Sequence, residues 1–180
     1  ALLHVAAWLR ANSRDLRLAA VGHRVVHGGL DFAEPVRVDA AVLEALERLV
    51  PLAPLHQPHN LAPIRILQRR LPDLPQVACF DTAFHARLPT PASTYAIPRS
   101  WRDELGVRKF GFHGLAHAWT ARRATELLGD VGRAARLVTC HLGAGASLAA
   151  VADGRCVDTT MGFTPLDGLV MATRAGAVDP

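Results

Sequence analysis

Four side chains of this sequence could bind a small anion or position the groups that do: Arg24, Asp81, His113 and Arg174. Arg24 stands in Gly22-His23-Arg24-Val25-Val26-His27-Gly28-Gly29, where a charge among apolar neighbours calls for an anionic partner. That partner is either a carboxylate of the protein itself or the oxyanion of a ligand, since the guanidinium fork suits carboxylate and phosphate alike. Asp81 ends the run Val77-Ala78-Cys79-Phe80. A carboxylate at the C-terminal end of a strand is placed either for catalysis or to cap the following turn. His113 lies in Gly111-Phe112-His113-Gly114, where the glycines admit close approach of a ligand, though a loop histidine can equally bond to backbone.

A fourth feature is the glycine-rich turn in Cys140-His141-Leu142-Gly143-Ala144-Gly145-Ala146-Ser147. Such turns can present backbone N–H groups to phosphate oxygens, and hairpins also use them without any ligand. Neither G-x-x-x-x-G-K-[ST] nor a G-x-G-x-x-G before a helix occurs. Arg174, in Thr173-Arg174-Ala175-Gly176, is a second clamp candidate that its own neighbours do not distinguish from a surface arginine.

The elements that must position these groups follow from pattern. Residues 1–11 read as the end of a helix, and residues 17–27 as a buried strand stopped by Gly28-Gly29. Asp39 caps a helix running to about Leu49, and the proline-punctuated stretch 51–60 reads as a loop. Asn60 then caps a helix to about Arg70, ended by Pro72. A strand over 76–80, a short helix over 99–105 and a helix over about 115–128 come next. Strands at 136–142, 146–152 and 155–160 close the pattern, the last two joined by the hairpin signal Asp153-Gly154. The sum is an α/β fold with some antiparallel sheet.

Composition narrows the function classes. Half of the 180 residues are apolar and 20% are charged, which makes a globular chain with a real core. The formal net charge is +4, but the arginines are scattered, without a basic run or an aromatic-rich RNA motif, so nucleic acid is not an expected partner. No apolar stretch reaches membrane-spanning length, and no membrane partner is expected. Cys79, Cys140 and Cys156 are too far apart for a metal pair or disulfide framework, and they read as small buried hydrophobes in a cytosolic chain.

Seven ordered motifs carry a resemblance: GHRVVHGG (22–29), PLAPLHQPHN (51–60), FDTAFH (80–85), YAIP (95–98), KFGFHGLAH (109–117), TCHLGAGAS (139–147) and VDTTMGFTPLDGLVMATRAG (157–176). Together they resemble the acetate kinase family over nearly the whole chain. The resemblance implies an actin-like ATPase (ribonuclease H-like) architecture of two α/β lobes around a cleft. On that expectation residues 1–135 hold the acetate-binding part and the rest of an N-terminal lobe, and 136–180 begin a C-terminal nucleotide-binding lobe.

It also implies reversible phosphoryl transfer from ATP to acetate with Mg²⁺, in the cytoplasm, by a homodimer. Carried over by motif, Arg24 binds the carboxylate or the transferring phosphoryl, and Asp81 is the essential acid beside it. Acetate is already ionised at neutral pH, so positioning suits Asp81 better than proton transfer. His113 and Arg174 stabilise the transition state, with His56 in support. Val26, Leu55, Phe112 and Pro165 form a pocket for the methyl group, and His141, Leu142, Gly143, Ala144 and Gly145 contact the ATP phosphates.

The chain departs from the family pattern at Ala144, at Leu115-Ala116 and at Ala172, Ala175 and Ala177, which bears on nucleotide use. Both ends read as internal. The family's N-terminal phosphate loop, adenosine-binding segments and metal-holding acid are expected outside these residues, and the 180-residue piece alone is expected to be inactive. Propionate or butyrate kinase of the same family, and a degenerate non-catalytic paralogue, are the competing readings.

Overall fold

The computed structural model describes residues 18–129 and 136–178, together with Val5, Trp8, Ala11 and Asn12. The helix expected over residues 1–11 falls mostly outside the described residues, although those four positions are helical.

Two three-stranded sheets organise the described residues. In the first, β1 (Val21–Val25) lies parallel to β3 (Gln76–Phe80), and β2 (Val36–Arg37) pairs antiparallel on the other side, giving the order β1-β3-β2. The register Arg24↔Cys79 and Val25↔Phe80 brings the C-terminal ends of β1 and β3 side by side. One further bond, Asp81 N–H to Val25 C=O at 3.0 Å, extends that alignment past the strand ends. Two parallel strands ending together leave a crevice where polar side chains can converge.

Helices α1 (Ala40–Arg48) and α2 (Gln57–Arg70) cover this sheet. Asp39 caps α1 as its sequence requires, its carboxylate accepting from Val42 N–H at 2.8 Å. Val25, Leu46, Leu61, Ile64, Ala78 and Phe80 form the core between sheet and helices. Helix α2 begins at Gln57, earlier than the Asn60 cap expected from sequence. Pro58 fits the first turn, where a missing N–H costs nothing, so the helix starts in what reads as a loop. Asn60 is thereby freed for a different task, described below.

After one helical turn α3 (Thr90–Ser93) and helix α4 (Arg99–Leu105), helix α5 (Gly114–Leu128) leads to the second sheet. That sheet is the antiparallel meander β4 (Arg136–Leu142), β5 (Ala146–Ala152) and β6 (Arg155–Thr159). The β5–β6 turn has Asp153 and Gly154 both at positive φ, the backbone a two-residue hairpin demands. Thr139, Ser147 and Ala149 point inward, whereas Val138 and Leu142 are exposed on the other face. The expected α/β character is therefore present. The burial expected of the cysteines holds only for Cys156: Cys140 is exposed on that outer face and Cys79 is half-buried. Strand alternation decides this, because Cys140 has the parity of Val138 and Leu142.

Candidate active site

The crevice at the ends of β1 and β3 is built first by backbone bonding. Beyond Val25 the chain leaves the ladder, and side chains take over its N–H groups. Asn60 Oδ1 accepts from Val26 N–H at 2.9 Å, Gln57 Oε1 from His27 N–H at 3.2 Å, and Thr82 Oγ1 from Gly28 N–H at 3.0 Å. Three side chains from two elements thus hold residues 26–28 in a shape no sheet imposes.

Arg24 and Asp81 meet in this crevice. Arg24 Nε donates to Asp81 Oδ1 at 3.0 Å and Nη2 donates to Oδ2 at 2.7 Å. Sequence placed the buried charge on Arg24, and the structure reverses this: the Arg24 side chain is 60% exposed and that of Asp81 2%. The carboxylate is the buried partner, and the arginine lies between it and solvent. The hydrogen bonds to Asp81 hold the Arg24 guanidinium protonated and raise its already high pKa. Among the described residues those bonds use Nε and Nη2, leaving Nη1 for a ligand.

Asp81 is also tied to the next element. Its carbonyl accepts from Gly114 N–H at 2.8 Å, and a Cβ at Gly114 would collide with that same carbonyl. The absence of a side chain at 114 thus lets α5 start against the end of β3. This puts His113, the residue before the helix, beside the crevice. His113 takes a left-handed φ of 58°, rare for a residue with a side chain and typical of constrained sites.

The glycine turn and the 162–176 loop complete the cluster. A Cβ on Gly145 would lie 2.8 Å from Arg174 Nη2 and 3.2 Å from His113 Nε2. The Arg174 guanidinium, the His113 ring and this turn therefore touch one small space. Arg174 is held there by Nη1 donating to Pro165 C=O at 2.6 Å, and the loop is tied to the turn by Ala172 N–H to Ala144 C=O at 3.3 Å. The His141 ring stacks on that of His113, centroids 4.2 Å apart. Gly143 is different from expectation: its N–H already donates to Gly145 C=O at 3.0 Å, so the hairpin consumes a donor that a phosphate was to receive.

An apolar wall adjoins the charged groups. Val26, Ala53, Phe110, Phe112, Ala146, Met161 and Met171 pack as one buried cluster, uniting Val26 and Phe112 from distant motifs. Leu55 lies outside it, 79% exposed, and Pro165 is half-buried. Of the residues singled out in the sequence, Arg24 pairs with Asp81, whose carbonyl binds the Gly114 N–H beside His113, and Gly145 borders both His113 and Arg174. His56, at the N-terminus of α2, joins them electrostatically: burial first, then Arg174 and Arg24, lower its pKa.

Several site residues escaped the sequence reading, although they lie inside the motifs quoted above: Gln57, Asn60, Thr82, His85, Gly114, His117, Thr139 and Ser147. Of these, Gly114 was legible only as a glycine beside His113, and its place as the first residue of α5 against the end of β3 was not.

The buried imidazoles respond to their setting. Burial pushes His27 and His85 down to about 4, with His117 adding to the effect on His85 and its bond to Phe112 opposing it. Burial, then His141, pushes His117 down to about 4. Burial first, then the charges of His141, Arg24, His117 and Arg174, pushes His113 down to about 3. These rings fold neutral, while in the unfolded chain they take up protons below about pH 6.5. Unfolding then binds protons, so their stabilising contribution is complete above about pH 6.5 and declines as pH falls through about 4. Urea denaturation at pH 7.5, 6 and 5 is expected to show falling stability across that series. A flat profile would contradict neutral burial.

Among the described residues no group of three His, Cys, Asp or Glu could hold a metal ion, and no helix is long and apolar enough to cross a membrane. What the cleft offers is fixed positive charge, neutral imidazoles and an apolar wall, a setting for a small organic anion and a second anionic group.

Comparison with known proteins gives a family and a fold. A family model described as the Acetokinase family matches residues 1–180. The acetate kinase of Streptomyces avermitilis is 56% identical over 163 residues, 91% of this chain and 40% of its own length. That of Thermotoga maritima is 53% identical over 168 residues, covering 93% and 42% respectively. Among solved structures, a propionate kinase from Francisella tularensis superposes with a TM-score of 0.93 at 43% identity, covering 99% of this chain and 46% of that one. The acetate kinase of Porphyromonas gingivalis gives a TM-score of 0.89 at 39% identity, with 99% and 46% covered. The chain thus spans under half the length of these relatives.

Proposed function

Since the chain belongs to the acetokinase family and shares its actin-like ATPase fold, we propose that it carries the acid-binding and phosphoryl-transfer part of an ATP-dependent acetate kinase. The observation that supports this best is the Arg24–Asp81 pair opening beside the buried Val26–Phe112 wall. A short carboxylate placed there has its charged head at Arg24 and its methyl group on the wall.

In this reading a carboxylate oxygen of acetate attacks the γ-phosphorus in line as the bond to ADP breaks. Charge spreads over the three equatorial oxygens, and stabilisation falls to groups already aimed at them. Arg174, His113 and Arg24 are those groups. Asp81 acts by holding Arg24, and no proton need pass through it. His56 adds a donor at the α2 terminus, and the 141–145 turn faces the ATP phosphates, with Gly143 already committed to the hairpin. The family's Mg²⁺ finds no ligand set among the described residues, and no step is assigned to it. We place the division between the two lobes at 135/136, where the second sheet begins, and take the protein to work in the cytoplasm as a homodimer.

The test is acyl phosphate formation, trapped as hydroxamate, by the complete gene product and by the 180-residue chain alone. The complete product is expected to use acetate, and the short chain is expected to be inactive. Propionate kinase is the second reading, favoured by the Francisella likeness. One methylene discriminates by only about 10–200-fold, so propionate is expected as a slower substrate. A higher kcat/KM for propionate than for acetate would reverse the assignment, and activity with neither acid would leave the non-catalytic paralogue.

Gly145→Ala probes the cluster directly. The added methyl enters the space between Arg174 and His113, and the flexible arginine gives way while the backbone does not. Because displacement of a positioned group by about 1 Å costs about 10²-fold, kcat is expected to fall on that order with the melting temperature nearly unchanged. Wild-type turnover would mean that this space is not where transfer occurs.

A further inference from the structure

Behind His113 runs a line of buried hydroxyls and imidazoles to which the transfer chemistry assigns no role. His113 Nδ1 lies 2.9 Å from Ser147 Oγ, and His117 Nε2 lies 2.8 Å from the same oxygen. His117 Nδ1 is 2.7 Å from Thr139 Oγ1. Ser147, His117 and Thr139 are 0%, 1% and 4% exposed, so water does not interrupt the chain.

We propose that Ser147, His117 and Thr139 are positioning residues that hold the single proton of neutral His113 on Nε2, so that an N–H and not a lone pair faces the transferring group. The consequence for catalysis rests on the kinase reading, whereas the proton assignment rests on the geometry of the chain alone.

A serine hydroxyl has one proton, so between two imidazole nitrogens it donates to one and accepts from the other. The tautomers of His113 and His117 are therefore coupled, and only two settings exist. In the first, Thr139 O–H donates to His117 Nδ1, His117 Nε2–H donates to Ser147, and Ser147 O–H donates to His113 Nδ1. His113 is left with its proton on Nε2, beside Arg174 and Gly145. In the second every bond reverses, and the Nε2 lone pair faces the cleft, where it could accept from Arg174. The Thr139 end decides between them. Reversal leaves the Thr139 proton only Ala149 C=O, at 3.4 Å. That lies outside the range of roughly 2.5–3.0 Å for O–H···O bonds. The second setting thus leaves this buried donor only that long bond, whereas the first gives it the 2.7 Å bond to His117 Nδ1.

The setting matters because His113, pushed down to about 3, is uncharged at neutral pH. An uncharged imidazole helps a phosphoryl oxygen only through an N–H. Stacking of His141 on the same ring restricts its plane further.

Long-range ¹H–¹⁵N spectra of the complete, histidine-labelled protein at pH 7.5 test this, with His113 and His117 assigned by His113→Gln and His117→Gln. Both rings are expected to show a protonated Nε2 and an unprotonated Nδ1. A proton on His113 Nδ1 would overturn the proposal. In Ser147→Ala, His113 is expected to give a mixed tautomer pattern, with kcat reduced about tenfold or more and both KM values changed less than about twofold. Thr139→Val is expected to lower kcat likewise, and Thr139→Ser, which restores the hydroxyl, to recover most of that loss. Unchanged spectra and turnover in Ser147→Ala would sink the idea, and should that variant not fold, the wild-type spectrum and the Thr139 pair decide. A wild-type protein without kinase activity but with both protons on Nε2 would overturn the kinase reading and uphold the chain.

Discussion

Replacing Arg174 by alanine is expected to lower kcat for acetyl phosphate formation by about 10³-fold, the lower end for arginines that stabilise a transferring phosphoryl group. The melting temperature should move little, because the side chain is half-exposed and its main anchor is a single bond to Pro165 C=O. The KM for acetate should stay within a few-fold, since on the proposed reading Arg24 and the Val26–Phe112 wall hold the acid in its ground state. Arg174→Lys keeps the charge and loses the planar fork, so only part of the rate should return. Turnover within tenfold of wild type in Arg174→Ala would remove this residue from the transition state.

The second large effect is an asymmetry within one ion pair. Arg24→Ala leaves the Asp81 carboxylate, 2% exposed, without its two-pronged partner. An uncompensated buried charge costs about 3–5 kcal/mol, and the water admitted by the truncation favours the lower figure, about 3 kcal/mol. Asp81→Asn instead leaves an arginine that is 60% exposed and already solvated, so stability should fall by less than about 1 kcal/mol. Both variants should lose activity by about 10²-fold or more, through lost binding of the acid in one and lost aim of Arg24 in the other. Urea denaturation of the two variants separates the effects. Equal stability losses would show that Asp81 is not the buried member.

The same pair shows how far sequence reading reaches. A charge in an apolar strand announces that Arg24 needs a partner, and Asp81 at a strand end is a natural candidate. Which of the two is buried depends on the register Arg24↔Cys79 and on the face each side chain takes, both settled by strand pairing. Asn60 teaches a related lesson. Its type marks it as a helix cap, yet a proline two residues before it lets the helix start earlier, and its amide oxygen serves the Val26 N–H instead. Local propensity yields here to a backbone group that folding would otherwise leave unpaired.

Read by itself, the sequence determined the α/β class, the Asp39 cap, the Asp153-Gly154 hairpin and the family, and it named Arg24, Asp81, His113 and Arg174 as candidates. All of these rest on patterns within a few residues or on the order of motifs. Tertiary structure alone decided that Gly145 borders both Arg174 and His113 and that Cys140 faces outward. It also decided that Ser147 lies between two histidines, 34 and 30 positions away in sequence. The physical reason is common to all three. Each depends on which face a strand or turn presents after pairing with a distant segment, and that pairing is set by the whole chain and is not legible in the few residues it brings together.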